Sequence, residues 1–134
     1  MFKLSKTSRA RINCIEPILI DIIEESIQRC PIDFGIPRDG GLRTADRQGV
    51  LFAQGRTTPG AIITYTDGVR KSSYHQSGKA FDIYAYVDGK ASWDVNHLTV
   101  IATHIKAVAW YEFGVELTWG GSWKFKDMPH FQID

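Results

Sequence analysis

The stretch Ser73-Tyr74-His75-Gln76-Ser77-Gly78-Lys79-Ala80-Phe81-Asp82 runs from a polar loop into an alternating strand pattern, and it organises the rest of the chain. It holds two residues of metal-ligand type, His75 and Asp82, seven positions apart. In one helix that spacing would separate them by about 10 Å along the axis, too far to share an ion. A loop residue and a strand residue can converge, and Gly78 lets the chain turn between them.

A second segment, Asp127-Met128-Pro129-His130-Phe131, supplies another imidazole and another acid. Zinc binds His nitrogen and Asp oxygen, and a catalytic zinc site uses three protein ligands and leaves one position for water. His75, Asp82 and His130 match that set, and Asp127 remains to accept a proton from the water. Each residue alone also has an ordinary explanation, such as a surface histidine, a hydrogen-bonded core acid or a turn acid.

Arg43 and Glu116 are further candidates for catalysis. A fixed guanidinium can stabilise the negative charge that develops on a carbonyl oxygen under attack. On chemistry alone, Arg43 fits this role no better than a simple ion pair with a nearby acid. Glu116 is a rival to Asp127 as the base, but the pattern places it on a strand facing solvent or a basic partner.

The remaining polar and aromatic candidates are weaker. Ser73 is interpreted as a support for the ligand loop or a contact for a substrate carboxylate, and Trp123 as a wall of the cleft. Gln48 is interpreted as structural. His97 and His104 lie seven apart on a predicted helix, so they cannot bind one zinc ion together.

The hydrophobic pattern predicts an α+β fold in a single domain over residues 1–134. Apolar residues at three- and four-residue spacing and a Thr44 cap predict helices over 15–29, 45–54 and 94–112. Short strands are predicted at 32–36, 80–87, 115–119 and 130–133. The irregular stretch 56–72 is expected to border the active site. This order favours a mostly antiparallel sheet packed with about three helices.

Composition narrows the function classes. With 134 residues and a net charge of +1, the chain can bury a core, and its bulk charge does not indicate nucleic-acid binding. No apolar run is long enough to span a membrane, and the N-terminus lacks the apolar segment of a signal peptide. Two cysteines, Cys14 and Cys30, make no disulfide framework and are expected to be reduced. We expect a monomer.

Several segments resemble the zinc peptidases of the D-Ala-D-Ala carboxypeptidase and dipeptidase superfamily (VanY/VanX-like). Among these, the chain is most similar to the small phage-type L-alanyl-D-glutamate endopeptidases, which are endolysins. The similarity covers nearly the whole chain and keeps the order of the matching segments. These are Glu16-Pro17, Asp33-Phe34, Gly41-Leu42-Arg43-Thr44 with Gln48, the stretch 73–82, Trp119-Gly120-Gly121-Ser122-Trp123, and Asp127 with His130-Phe131.

The resemblance implies a compact fold of the hedgehog and D,D-peptidase type, with Zn²⁺ bound by His75, Asp82 and His130. It places Asp127 at the catalytic acid, where many relatives carry Glu, and gives Arg43 a functional role. It also implies cleavage of the L-Ala–D-Glu bond in the peptidoglycan stem peptide. Such a lysis enzyme of a phage or prophage would be made in the host cytoplasm and reach the cell wall and periplasm after the membrane is permeabilised.

Three alternatives remain open at this point. The same chemistry could act on another bond, as in a D,D- or L,D-carboxypeptidase or a D-Ala-D-Ala dipeptidase. The fold could instead serve as a non-catalytic zinc-containing binding module, although Asp127 and Arg43 argue against this. A closed structural zinc site is the weakest alternative, because such sites use four ligands rich in Cys and neither cysteine lies near the motif.

Overall fold

Four α-helices and six short β-strands follow one another in a computed structural model that describes residues 1–134. The helices are α1 (Lys6–Arg11), α2 (Pro17–Arg29), α3 (Ala45–Ala53) and α4 (Val95–Phe113). The strands are β1 (Asp33–Gly35), β2 (Ala80–Asp82), β3 (Tyr84–Val87), β4 (Lys90–Ser92), β5 (Thr118–Trp119) and β6 (His130–Gln132). Two 3₁₀ helices cover Tyr74–Ser77 and Gly120–Ser122.

The strands form two antiparallel sheets of three strands each, with the orders β1-β3-β4 and β2-β6-β5. The α+β class with antiparallel sheets is therefore confirmed, but the predicted strand over 80–87 is wrong as one element. The chain leaves β2 at Asp82 and joins the other sheet at Tyr84. Between them, the N–H of the buried residue Ile83 donates to the carbonyl of Pro129. The alternation of apolar residues continues through this junction, so the sequence shows no break.

The core lies between the two long helices and the sheets. Helix α2 begins at Pro17, whose missing N–H costs nothing in the first turn. Its apolar stripe is buried against α4, which ends at Gly114 in the left-handed conformation. Below the second sheet, the rings of Phe81 and Phe131 stack with centroids 5.0 Å apart, and both residues are fully buried.

Helix α1 and strand β4 were not predicted from the sequence. Helix α1 raises the number of helices from the expected three to four. Helix α1 has only six residues, which show no apolar periodicity, and it is capped by the side chain of Ser5. Its buried Ser8 hydroxyl accepts a hydrogen bond from the backbone N–H of Ile36, so tertiary contact supports it. Strand β4 is exposed along most of its length and pairs only with β3.

Cys14 and Cys30 are both free thiols, one exposed and one buried at the end of α2. None of the four helices combines the length and apolar character needed to cross a bilayer.

Candidate metal centre and cleft

Strand register brings two of the three candidate ligands face to face. Asp82 at the end of β2 is the direct cross-strand partner of His130 at the start of β6. Directly opposed residues in an antiparallel pair place their side chains on one face, about 5 Å apart at Cβ. The neighbouring pair, Phe81 and Phe131, points the other way into the core. The same two strands thus build the polar site on one face and its hydrophobic support on the other.

The third candidate, His75, comes from the 3₁₀ helix Tyr74–Ser77 and not from an open loop. The Ser73 hydroxyl caps this helix by accepting from the N–H of His75, and the Gln76 side chain accepts from the N–H of Ser73. Gly78 ends it with a φ of 73°, a left-handed conformation that suits glycine. Ser73 therefore supports the ligand segment, and His75 is 3% exposed.

Three ligand atoms meet at one point. His75 Nε2 lies 3.2 Å from His130 Nδ1 and 3.3 Å from Asp82 Oδ1, and the latter two atoms are 3.1 Å apart. Ligands bound at about 2.0–2.1 Å in a tetrahedral zinc site lie about 3.3–3.4 Å from one another. The three distances therefore match three corners of such a site.

A hydrogen bond on the far side of each imidazole ring determines which of its nitrogens faces the other candidate ligands. His75 Nδ1 lies 2.9 Å from the carbonyl oxygen of Gly41, which can only accept. His130 Nε2 lies 2.8 Å from Gln132 Oε1, and Gln132 Nε2 donates to Asp134. Each ring thus donates its outer N–H, which leaves a lone pair on His75 Nε2 and on His130 Nδ1. Two lone pairs and a carboxylate oxygen facing one another require a cation, so the residues fit a metal ion.

The pKa shifts of Asp82 and His130 also favour a positive charge between the candidate ligands. Burial would raise the pKa of Asp82, but the hydrogen bonds and charges of His130 and His75 lower it below its ordinary value. Burial would lower the pKa of His130, but the protonated ring can donate from Nδ1 to Asp82, and this hydrogen bond raises the pKa above its ordinary value. Since both directions favour a cation beside the Asp82 carboxylate, the site is suited to bind one.

The segment Gly40–Arg43 braces the ligands from behind. The carbonyl of Gly40 accepts from the N–H of Asp82, the carbonyl of Gly41 accepts from His75, and the N–H of Arg43 donates to the carbonyl of His75. A Cβ on Gly41 would lie only 1.8 Å from the carbonyl oxygen of Arg11, so this close approach requires glycine. Backbone groups of this segment therefore hold two candidate ligands, Asp82 and His75, in position.

Arg43 lies next to the second oxygen of Asp82. Its Nη2 is 3.7 Å from Asp82 Oδ2 and donates to the carbonyl of Asp39, while Nη1 donates to Gln48 Oε1. Its buried Nε has no acceptor. The guanidinium therefore neutralises part of the Asp82 charge and still has unused donors.

Asp127 lines the same cleft, and part of the residue is exposed to solvent. The protein packed around its carboxyl raises the pKa of Asp127, and the negative charge of Asp82 raises it further. Nearby positive groups oppose this shift without cancelling it. Its backbone carbonyl accepts from the N–H of His130, so the acid is tied to a candidate ligand.

The cleft has a volume of about 590 Å³, and most of its lining residues are polar. Trp123 lines it and packs against the His130 ring with centroids 5.3 Å apart. The predicted bordering loop contributes Ile63, Thr64, Thr66, Lys71 and Ser72. Glu116 lines a different groove. His97 and His104 also lie outside the cleft, where His97 contacts the Ser92 hydroxyl and His104 contacts the carbonyl of Ser26.

Some contributors were missed from the sequence. Gln132 could have been suspected, because residues two apart on a strand share a face and it follows His130 by two. The carbonyl of Gly41 has no sequence signal, since every residue carries one. Arg38 and Lys71 also line the cleft, and no sequence pattern distinguishes them from the other basic residues.

An α+β fold with three converging candidate ligand atoms in an open cleft is the arrangement expected of a metal-dependent hydrolase. The chain belongs to the phage L-alanyl-D-glutamate peptidase family, whose model matches residues 1–134. The similarity to this family predicted from the motifs is thereby confirmed.

Individual relatives agree with this assignment. The peptidoglycan L-alanyl-D-glutamate endopeptidase CwlK of Bacillus subtilis is 37% identical over 101 residues, which is 69% of this chain but only 57% of that protein. The L-alanyl-D-glutamate peptidase of Escherichia phage T5 is 28% identical over 134 residues, covering 98% of this chain and 89% of that protein. The crystal structure of the Serratia marcescens L-Ala D-Glu endopeptidase ChiX matches with a TM-score of 0.77 and 26% identity, covering 99% and 90% of the two chains.

Proposed function

We propose that this protein is a metal-dependent peptidase that hydrolyses the L-Ala–D-Glu bond of peptidoglycan stem peptides. Zn²⁺ is the proposed ion, held by His75, Asp82 and His130. The observation that carries the proposal is the set of three facing ligand atoms, 3.1–3.3 Å apart, in the cleft of a chain from this family. The bond is the one after which three relatives are named.

The chain's own residues prepare the site for an ion. Gly41 and Gln132 hold the two imidazoles with their lone pairs inward, and Arg43 steadies the carboxylate of Asp82. When bound, Zn²⁺ supplies a Lewis acid that polarises the scissile carbonyl and makes water more acidic. Preset ligand orientation means that little reorganisation is needed during the reaction.

Asp127 is the proposed general base and acid. It would accept a proton from the attacking water and return it to the leaving amine of the glutamate. Its raised pKa supports the role, because it makes the carboxylate a stronger base, and a carboxyl group is still acidic enough to return the proton. Glu116 is a poor rival, since it lines the groove that does not contain the candidate ligands.

Arg43 is the proposed stabiliser of the negative charge on the attacked carbonyl oxygen. The guanidinium lines the cleft and keeps donors free after its bonds to Gln48 and Asp39. Ser73 and Trp123 are proposed to contact substrate at the sides of the cleft, where both are found. A wholly non-catalytic module would have no need for the carboxyl group of Asp127 beside the candidate ligands.

The direct test is mass spectrometry of fragments released from purified peptidoglycan, with and without a chelator. We expect new C-terminal L-Ala and N-terminal D-Glu ends that disappear with chelator and return with zinc. Release of terminal D-Ala alone would replace the proposal with a carboxypeptidase. One bound zinc per chain without any released fragment would indicate a binding module.

The role of Asp127 is tested by Asp127→Asn, compared with Glu116→Gln as the matched control. We expect the first variant to lose about 10²–10⁴-fold in kcat, the usual contribution of a general base, while binding zinc as well as wild type. Glu116→Gln is expected to retain full activity. The opposite pattern would transfer the role to Glu116.

We also propose that the enzyme acts on the cell wall in phage-type lysis, reaching it once the host membrane is permeabilised. Cells that produce the protein in their cytoplasm should then stay intact, whereas the same cells with a permeabilised cytoplasmic membrane should lyse. Equal lysis of both preparations would contradict the need for permeabilisation.

A further inference from the structure

We propose that Arg38 and Lys71 form a carboxylate-binding subsite for the glutamate next to the scissile bond. The subsite would favour stem peptides in which this residue carries a free carboxylate over those in which that group is an amide. This inference rests on the proposed function and adds the feature of the substrate that the cleft selects.

Neither Arg38 nor Lys71 is paired with an acid of the cleft. Both side chains line the cleft, and neither makes a hydrogen bond or an ion pair within the protein. The acids of the cleft are otherwise engaged. Asp39 is bound through both oxygens by Arg47, and Asp82 contacts the two histidines and Arg43.

Asp127, the third acid, is reserved in the proposed mechanism for proton transfer. The cleft wall thus offers two exposed positive groups that are free to pair with a ligand.

The backbone on which each cation sits is tied to the metal centre. Arg38 directly precedes Asp39, whose carbonyl accepts from Arg43. Lys71 is held from the other side. Its N–H donates to Asp67 Oδ1, and its carbonyl accepts from the N–H of Gly68.

The carbonyl of Gly68 in turn accepts from the side chain of Gln76, the residue that follows His75. The two cations are 33 positions apart in sequence, yet each is connected to the candidate ligands by a short series of hydrogen bonds. The backbone at each cation is therefore positioned relative to the reaction centre, while both side chains are exposed and can reach a ligand in the cleft.

The substrate supplies the complementary group. Glutamate has two carboxyl groups, and the chain that continues beyond it uses at most one of them. The other is ionised at neutral pH, with an ordinary pKa near 4. It belongs to the residue whose amino group leaves, within about one residue length, or 3.5 Å, of the broken bond. Arginine and lysine bind carboxylates through charge-assisted hydrogen bonds, which an amide cannot match.

The test uses two synthetic stem peptides that differ only in this group, a carboxylate in one and an amide in the other. We would measure kcat/KM for wild type, Arg38→Gln, Lys71→Gln and the double variant. Arg70→Gln and Lys79→Gln are matched controls, since each removes one positive charge from an exposed residue outside the cleft. Thermal unfolding and zinc content verify that every variant is folded and loaded.

We expect wild type to prefer the carboxylate peptide by about tenfold, a size typical of charge-assisted bonds in a partly open site. The double variant should lower this preference to about twofold or less, by losing activity on the carboxylate peptide while its activity on the amide peptide is unchanged. The two control variants should keep the wild-type preference.

Two results would overturn the subsite. One is a wild-type enzyme that cleaves both peptides equally well, and the other is an equal loss on both peptides in the double variant. Both results still show cleavage at L-Ala–D-Glu, so the proposed function would survive them. A wild-type enzyme that cleaves neither peptide at this bond would reject the proposed function itself.

Discussion

The two walls of the cleft are built in different ways. The wall of β2 and β6 presents Asp82 and His130 on one face, and on the other it buries Phe81 and Phe131 completely. The opposite wall, made of α3 and residues 54–73, contains only two buried residues, Gln48 and Gly68. The first wall is supported by close packing and the second by hydrogen bonds.

This difference assigns different tasks to the walls. Packed side chains resist displacement, so the ligands on β2 and β6 keep their distances. A wall with few buried apolar contacts opens at a lower free energy, which suits a surface that must admit a polymeric substrate. Gln48 is central to the second wall, since it bonds Arg43 on one side and the backbone of Thr66 on the other. The predictions below test this contrast, from the largest expected effect to the smallest.

The largest effect is expected for Asp82→Asn, which removes the charged ligand without changing its size. Zinc content should fall far below one per chain, and activity should drop by well over 100-fold, beyond the 10–100-fold typical of outer-shell changes. Asp88→Asn, in an exposed turn with positive φ that Asn tolerates, is the control and should match wild type. Metal analysis and fragment release measure both, and an active Asn variant would contradict the ligand assignment.

Phe131→Ala tests the packed wall. Truncating a fully buried Phe costs about 3–5 kcal/mol of the free energy of unfolding, because it removes apolar burial and leaves a cavity behind His130. Phe125→Ala, at a residue that is 85% exposed, should change stability by less than about 0.5 kcal/mol. Denaturant unfolding of the two variants gives the comparison. Similar values for both would mean that the core does not support this wall.

Gln48→Ala tests the hydrogen-bonded wall. It removes the partners of Arg43 Nη1 and of the Thr66 carbonyl, which costs about 1–3 kcal/mol for buried groups left unpaired. Amide exchange should speed up in residues 54–73 and stay slow in β2 and β6, with zinc retained and kcat/KM lowered. Gln28→Ala, whose bond is exposed, is the control. Faster exchange in both walls would show that they are one cooperative unit.

The smallest effect is expected for Arg47→Ala and depends on pH. The hydrogen bond from Arg47 holds the pKa of Asp39 below its ordinary value, against the opposing effect of burial. The unfolded chain therefore binds a proton at higher pH than the folded one, so this contribution is complete above about pH 4 and is lost as pH falls through the lowered pKa.

The variant should consequently lose less stability than wild type on acidification. Unfolding measured as a function of pH, with Lys79→Ala as the control, would reveal this difference. Parallel curves for wild type and Arg47→Ala would show that Arg47 does not lower the pKa of Asp39 in the folded protein.

Local sequence patterns predicted three of the four helices. Helices α2 and α4 follow from their apolar spacing and α3 from the cap at Thr44, and all three lie within two residues of the expected limits. Helix α1 and strand β4 lack such patterns and were missed, because a contact elsewhere in the fold stabilises each of them. The division of residues 80–87 between two sheets also escaped prediction, since alternation is the same in one sheet as in two.

The sequence by itself determined the family, the α+β class and the residue types of the candidate site, because these depend on which residues stand in what order. Only the tertiary structure decided that Asp82 faces His130, that the carbonyl of Gly41 orients His75, and that Arg38 and Lys71 share the cleft. These relations join residues 33 to 48 positions apart, and their register and orientation arise when the hydrophobic core packs. The spacing of these residues along the chain does not predict the contacts between them.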